Sequence, residues 1–444
     1  MARMANMARL ALAAGLVATA LTGCGGGKDK KVTPTMGQRV PILSRIESGA
    51  EVDRALASVS VVLPPERRNA EWAQVGGNAA KSYGHLALSP APAKAWTAKI
   101  EGSTNRVRLA ASPVVGSNML FALGSDGTIH AFDKDTGARQ WDSKTNLGKG
   151  SQASAFGGGV SYDNGKLYAT NGVGEAKALD AKTGEVLWKV TPSGPLRGSP
   201  TIAFGEVFVM TQDNQLIALS AKDGSVNWLE TASTTQSGVF GVAAPAAGQG
   251  TVIAGFSSGE LNAYRYENGR VLWSDALART NISTAVSSLT DIDADPIIDS
   301  GRVYALGQGG RMAAYELLTG QRIWELNLAG ISTPAIAGEW IFTLTDDARL
   351  LAIARSSGRV RWISQLRRFK NEKKRENPIF WTGPVLAGGN LWVASSRGEV
   401  WKVNAVTGEA SSFTDVKGAV SLSPIVADGM LYILDDAGTI HAFR

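Results

Sequence analysis

The chain has a single cysteine in 444 residues. No intrachain disulfide can form, and no thiolate cluster can hold a metal. Three histidines leave little room for His-rich metal centres or for most His-based acid–base chemistry. Charged residues are scarce at 19%, against about a quarter in an ordinary domain. Glycine is abundant, 51 residues or about 11% against a usual value of about 7%, and there are 12 tryptophans. An apolar fraction of 44% excludes a disordered chain, and this much glycine excludes a coiled coil. The combination predicts many short strands joined by tight glycine turns.

The N-terminus reads as a processing signal. Arg3 and Arg9 form a positive region, and Leu10 to Leu21 is an apolar run of 12 residues. That is too short for a permanent membrane-spanning helix. It ends in Leu21-Thr22-Gly23-Cys24, with small residues before the cut and the only cysteine at it. This resembles the bacterial lipobox, in which the thiol takes the lipid. A plain secretory signal with a chance cysteine is the alternative. Lipidation at Cys24 would anchor the protein without spanning, since two or three acyl chains bury many CH₂ groups at about 0.8 kcal/mol each. Gly25, where an Asp would retain a lipoprotein at the inner membrane, favours the outer membrane by the same resemblance. Loss of residues 1–23 removes two Arg and no acid, so the net charge falls from +6 to +4. That mild excess does not argue for nucleic acid. The expected organisation is a signal peptide over 1–23, a lipidated Cys24 with a flexible tether over 24–70, and a folded body over 71–444.

The body is a repeat. One strand of each unit appears eight times, from Leu120-Phe121-Ala122-Leu123 to Leu431-Tyr432-Ile433-Leu434. A turn, a further strand such as Leu216-Ile217-Ala218-Leu219, and a second turn ending in Gly follow. The turn glycines are Gly137, Gly184, Gly224, Gly269, Gly320, Gly358 and Gly408, spaced by 38 to 51 residues. Four residues after the first six stands a Trp, and the seventh unit has Ser412 there instead. A period near 45 with three or four strands per unit is the mark of a β-propeller. Each small sheet buries its faces only by stacking on its neighbours, and the Trp is a wedge burying on the order of 200 Å² per copy. Seven units run from Pro113 to about Thr414. An eighth, Ala419 to Phe443, lacks its Trp strand, and Ala95-Trp96-Thr97-Ala98-Lys99-Ile100 upstream supplies it. The prediction is an all-β, eight-bladed propeller of four-stranded blades, latched by an N-terminal strand.

The repeat of an apolar pair, Gly turn, Leu-Tyr-Ala-Leu-like strand, Thr-Gly and Trp resembles the PQQ-type propeller repeat. Together with the lipobox, the chain from about residue 21 to 444 resembles the BamB family, lipoprotein subunits of the outer-membrane β-barrel assembly machine. The resemblance implies a scaffold that is not an enzyme and needs no cofactor. It would bind the POTRA domains of the barrel subunit BamA, work beside other assembly subunits and help deliver unfolded outer-membrane proteins. Leu196-Arg197-Gly198 matches the family's Leu-Arg-Gly loop, with Gly194 where the family often has another apolar residue. Leu289-Thr290-Asp291-Ile292-Asp293 matches its Leu-x-Asp-x-Asp loop. An exposed Arg in one loop and two carboxylates in the other would make charge-assisted contacts with a partner. Pairing of Arg197 within the propeller, and a turn-forming role for Asp291, Asp293 and Asp295, are the structural alternatives. The Asp triplet imitates the start of an EF loop, but Pro296 and Arg302 stand where that loop needs Gly and Glu, which argues against calcium.

His130 and His441 occupy the same place in two copies of Gly-Thr-Ile-His-Ala-Phe, which fits a scaffold role, and His85 has no visible partner. Residues 366–376 interrupt the repeat with Arg367, Arg368, Lys370, Lys373, Lys374 and Arg375 against Glu372 and Glu376. This is either a solvated loop or a contact for anionic lipid or an acidic partner. Two other function classes stay open: a PQQ-dependent dehydrogenase of the same repeat type, and an exported sugar- or peptide-binding propeller. Against the first stand the single cysteine, the lack of a quinone-clamping motif and the short chain.

Overall fold

The computed structural model describes residues 50–145, 157–233, 243–277 and 291–444. Apart from a short 3-10 turn at Arg54–Leu56, its regular elements are strands, arranged as eight four-stranded antiparallel blades. Blade 1 is Val114–Gly116, Met119–Leu123, Ile129–Asp133 and Arg139–Ser143. Blades 2 to 7 repeat this order and end with Trp381–Ala387, Asn390–Ser395, Glu399–Asn404 and Ala410–Asp415. Blade 8 takes three strands from Ile425–Ala427, Met430–Leu434 and Thr439–Phe443. Its fourth is Lys94–Lys99, with Trp96 opposite Ala442 and Lys99 opposite Thr439. The predicted latch is therefore present and lies within a residue of the expected place.

The second and third strands are buried almost throughout, as in Phe208, Val209, Ile217 and Ala218, because neighbouring blades cover both their faces. In blades 2 to 5 and 8 the fourth strand has one buried residue in its middle, the Trp, and exposed neighbours on either side. Each Trp sits on the turn glycine of the next blade: Trp96 on Gly137, Trp141 on Gly184, and so on to Trp362 on Gly408. The seven glycines have φ between 70° and 77°, and a Cβ added there would come within 2.5 to 2.9 Å of the indole. Glycine is needed twice, for the left-handed backbone and for the close approach. Each indole N–H also donates, at 2.7 to 3.2 Å, to the carbonyl three residues before that glycine, as from Trp228 to Tyr266.

Blade 7 breaks the rule for a topological reason. Its Trp would need a turn glycine between the third and fourth strands of blade 8, but those strands come from opposite ends of the propeller sequence. No turn joins them. Phe413 takes over, packing edge-on against Phe443 at 5.4 Å and against Trp392 at 5.0 Å.

Because neighbouring strands are antiparallel, the turns after the first and third strands lie on one face of the ring. The connections from one blade to the next lie on the other. The first face carries a strap that corrects the expected organisation. Residues 50–70, drawn as tether, are held from Ala50 onward. Ala50 is buried among Tyr304, Trp324 and Val360, and Val52 bridges Val360 of blade 6. Further on the strap visits the innermost strands in ring order. Asn69 bonds Val426 and Asp428 of blade 8, Trp72 pairs with Val115 of blade 1, and Ala73 accepts from Tyr162 of blade 2. Gln74 makes a two-way bond to Ile202 of blade 3, Ala79 accepts from Ala247 of blade 4, and Ala80 accepts from Ile298 of blade 5. Leu86 pairs with Leu386 and Gly388 of blade 7. The inner strands have no sheet neighbour toward the axis, and the strap satisfies part of that open edge.

Two outcomes check this packing. Gly320→Ala should destabilise the propeller by about 2–4 kcal/mol in denaturant titration, from the positive φ and the clash with Trp273 together. Ser412→Trp should leave the midpoint unchanged or lower it, because no glycine receives the indole. A gain as large as the Gly320 loss would contradict the seat. Deleting residues 94–99 should expose the edge of Thr439–Phe443 and cause aggregation or a large drop in melting temperature.

Candidate functional site

The face opposite the strap holds the blade-to-blade connections, and two of them meet near the axis. One, between blades 2 and 3, carries Leu196 and Arg197. The other, between blades 4 and 5, carries Asp291, Asp293 and Asp295. Arg197 Nη2 lies 3.4 Å from Asp293 Oδ1. The sequence placed these groups at an exposed surface, and the structure corrects that: Arg197 is 4% exposed, Asp291 1% and Asp293 7%. The ion pair joins loops that are 96 residues apart in the chain. Leu196 is a core residue, buried with Tyr168, Trp188 and Ile217, and it bridges Thr211. The backbone of Arg197 is fixed on both sides, donating to Met210 and accepting from Gly158. Leu289 and Thr290, like Cys24, lie outside the described residues.

Burial raises the Asp293 carboxyl to about 7, and the nearby carboxylate of Asp291 adds to the effect. Arg197 opposes the rise, and Asp346 on blade 6 reinforces it. Beneath them, Asp295 accepts from the Ala244 amide at 2.7 Å and is held above its ordinary value by burial. Lys81, from the strap, reaches into the same interior. Its Nζ donates to Thr201 Oγ1 at 3.1 Å, and burial lowers its pKa to about 8 despite the attraction of Asp295. Asp295 is thus no turn-former: its side chain ties blade 5 to blade 4 and its amide donates to Thr333 of blade 6. Sequence reasoning missed Lys81, a single lysine ahead of the first blade that no repeat motif marks.

A cavity of about 220 Å³ lies along the axis, with Trp72 and Tyr83 of the strap, Ser199, Asp293, Asp295 and Thr333 among its lining residues. Its wall is stitched by hydroxyls. Ser112 donates to the Ser423 carbonyl, Ser161 to that of Pro200 and Thr201 to that of Pro245. These bonds join blade to blade at the axis. Among the described residues no group of three or more His, Cys, Asp or Glu side chains is arranged to hold a metal ion.

The histidines are structural. His130 is clamped between Asp142 at 2.7 Å and Glu101 at 2.6 Å, and His441 bonds Asp435 at 3.0 Å. His85 does have partners: the Gly389 amide donates to Nε2, so Nδ1 carries the hydrogen that it gives to the Pro64 carbonyl. The basic stretch is an ordered hairpin, Phe369–Asn371 paired with Glu376–Pro378, in the connection between blades 6 and 7.

A closed ring of eight PQQ-like blades, strapped on one face and carrying its long connections on the other, defines the class. Within it, the chain belongs to the family described as outer membrane protein assembly factor BamB, whose family model matches residues 125–364. The protein of that name from Yersinia pestis is 27% identical over 358 residues, covering 79% of this chain and 88% of the relative. The crystal structure of BamB from Moraxella catarrhalis aligns with a TM-score of 0.68 at 20% identity, over 80% of this chain and 99% of that one. Quinohemoprotein alcohol dehydrogenase from Comamonas testosteroni aligns at 0.67 with 14% identity, over 85% of this chain and 81% of that one. At such identities the structural likenesses show the fold alone.

The buried Asp293 makes a pH prediction. Between about pH 4 and pH 7 the folded carboxyl keeps a proton that the unfolded chain has lost, so stability contributed here falls as pH rises and levels off above about 7. Asp293→Asn removes the titration. Its melting temperature relative to the parent should improve between about pH 5 and pH 7.5, by an amount worth on the order of 2–4 kcal/mol. An offset that is the same at both pH values would show that Asp293 titrates normally.

Proposed function

We propose that this chain is a lipid-anchored scaffold, without enzymatic activity, on the periplasmic face of the outer membrane. It docks on the POTRA domains of the barrel subunit of the β-barrel assembly machine and aids insertion of outer-membrane proteins. Membership of the BamB family, with relatives covering most of the propeller, carries this reading. The lipobox at Cys24 is the proposed anchor. The connection face is the proposed docking face, because propellers put recognition on the loops that a rigid ring holds in place.

In this reading Leu196, Arg197, Asp291 and Asp293 serve the partner surface from just beneath it. Leu196 roots one connection in the core, and the Arg197–Asp293 pair holds that connection against the other. The outer surfaces of the two loops then meet the partner in one fixed relation. A pre-ordered loop loses less entropy on binding, so affinity depends on the pair even where the partner touches neither charge.

Cys24→Ser should lose incorporation of labelled palmitate and release the protein from the membrane fraction, whereas equal labelling would refute the anchor. Arg197→Ala alone removes the cation that opposes protonation of Asp293, and should cost stability chiefly above about pH 7, where the carboxyl ionises without a partner. The double variant Arg197→Ala/Asp293→Asn should recover much of that stability yet bind the purified POTRA region at least about tenfold more weakly by calorimetry. Parent-like affinity in the double variant would place the interface elsewhere.

A further inference from the structure

We propose that the hairpin between blades 6 and 7 is a cationic docking arm that grips an acidic surface on the protein partner of the connection face. The inference rests on the proposed function for the existence of that partner and adds the chemistry of its surface.

The hairpin is not needed to close the ring. The last strand of blade 6 ends at Gln365 and the first of blade 7 begins at Trp381, and the other blades are joined without such a paired insert among the described residues. It is nevertheless held firmly. Leu366 and Ile379 are buried at its base, and the Trp381 indole donates to the Arg367 carbonyl at 2.8 Å. The Ile379 amide donates to Arg368 across the base. Glu372 turns inward on its own loop, accepting from the Arg368 and Phe369 amides at 2.9 and 3.2 Å, and those bonds hold its carboxyl below the usual range. An order of this kind, maintained on an element outside the core, has a use at a surface.

The charge is unbalanced. Of the six cations only Arg367 pairs with a carboxylate among the described residues, Glu399 at 3.0 Å. Arg368, Lys370, Lys373, Lys374 and Arg375 are exposed. Phe380 stands at the base of the hairpin, with its backbone tied to Ser396 on both sides, and is 66% exposed. An exposed aromatic ring on a pinned backbone at the base, with exposed cations along the arm, suits a protein interface, in which the ring fills a pocket and the charges steer the approach. An element that inserts into a membrane interface buries an apolar face there. Here the tip, residues 372–375, is Glu-Lys-Lys-Arg, and the aromatics lie at the base. The connection from blade 6 to blade 7 also opens on the same face as those bearing Arg197 and Asp293, so one partner can meet both.

The test uses the mature full-length chain and the variant Arg368→Glu/Lys373→Glu/Lys374→Glu/Arg375→Glu, with the purified POTRA region and, separately, vesicles containing phosphatidylglycerol as probes. The variant should melt as the parent does. Its association rate with the POTRA region should fall at least about tenfold at low salt, and the difference should shrink as salt rises. Equal association by parent and variant at every salt concentration, with the parent binding well, overturns the arm and leaves the scaffold function standing. A parent that does not bind the POTRA region at all overturns that function and the arm with it. Vesicle binding lost in the variant, with protein binding unchanged, overturns the acidic-protein reading in favour of a lipid surface.

Discussion

Everything in this fold depends on an indole lying over a glycine. A four-stranded blade exposes two apolar faces and cannot persist alone, so the ring must hold eight interfaces at once. At seven of them the same device serves: a Trp in the outer strand of one blade, a glycine at positive φ in the next, and an indole N–H on a carbonyl three residues earlier. Burial of about 200 Å² per indole supplies the attraction, and the hydrogen bond fixes its direction. The eighth interface has no turn to offer a glycine, and there the Trp is replaced by Ser412 while Phe413 does the packing. The exception follows from where the ring is latched.

With the rim secured in this way, the two faces and the axis are free to differ. On one face, residues 69–86 satisfy backbone groups of the innermost strands, which would otherwise present an open edge. On the axis, hydroxyl-to-carbonyl bonds and the Asp295 carboxylate tie blades 8 to 1, 2 to 3, 3 to 4 and 4 to 5. The other face keeps the longer connections, a buried Arg197–Asp293 pair beneath them and a cationic hairpin beside them. An ion pair in such a place contributes modestly to stability, since desolvation offsets its attraction. Its value lies in holding two distant loops in one arrangement.

The repeat made the architecture legible. Glycine and Trp recur with a period that only stacked blades explain, and Trp96 betrays the latch because it repeats the motif ahead of the first full unit. The strap was not legible. Most of its contacts run through backbone groups of residues such as Ala73, Ala79 and Ala80, and a main-chain bond leaves no side-chain periodicity to read. At the candidate site, Arg197 and Asp293 stood out in the sequence as charges in two loops, but they are buried where exposure was expected. Arg197 and Asp293 are 96 positions apart, and only the ring's curvature brings them together. In the basic stretch composition showed the charge, but the pairing of Phe369 with Pro378 depends on Glu372 folding back onto its own amides.

The central claim is that the ring meets its partner through the connection face while the strap face stays turned away. Hydrogen–deuterium exchange on the full-length mature chain, with and without the POTRA region, reads this most directly. The account predicts added protection at residues 196–200, 291–295 and 366–380 and unchanged exchange at residues 69–88. Protection of the strap, with the connections unaffected, would contradict it.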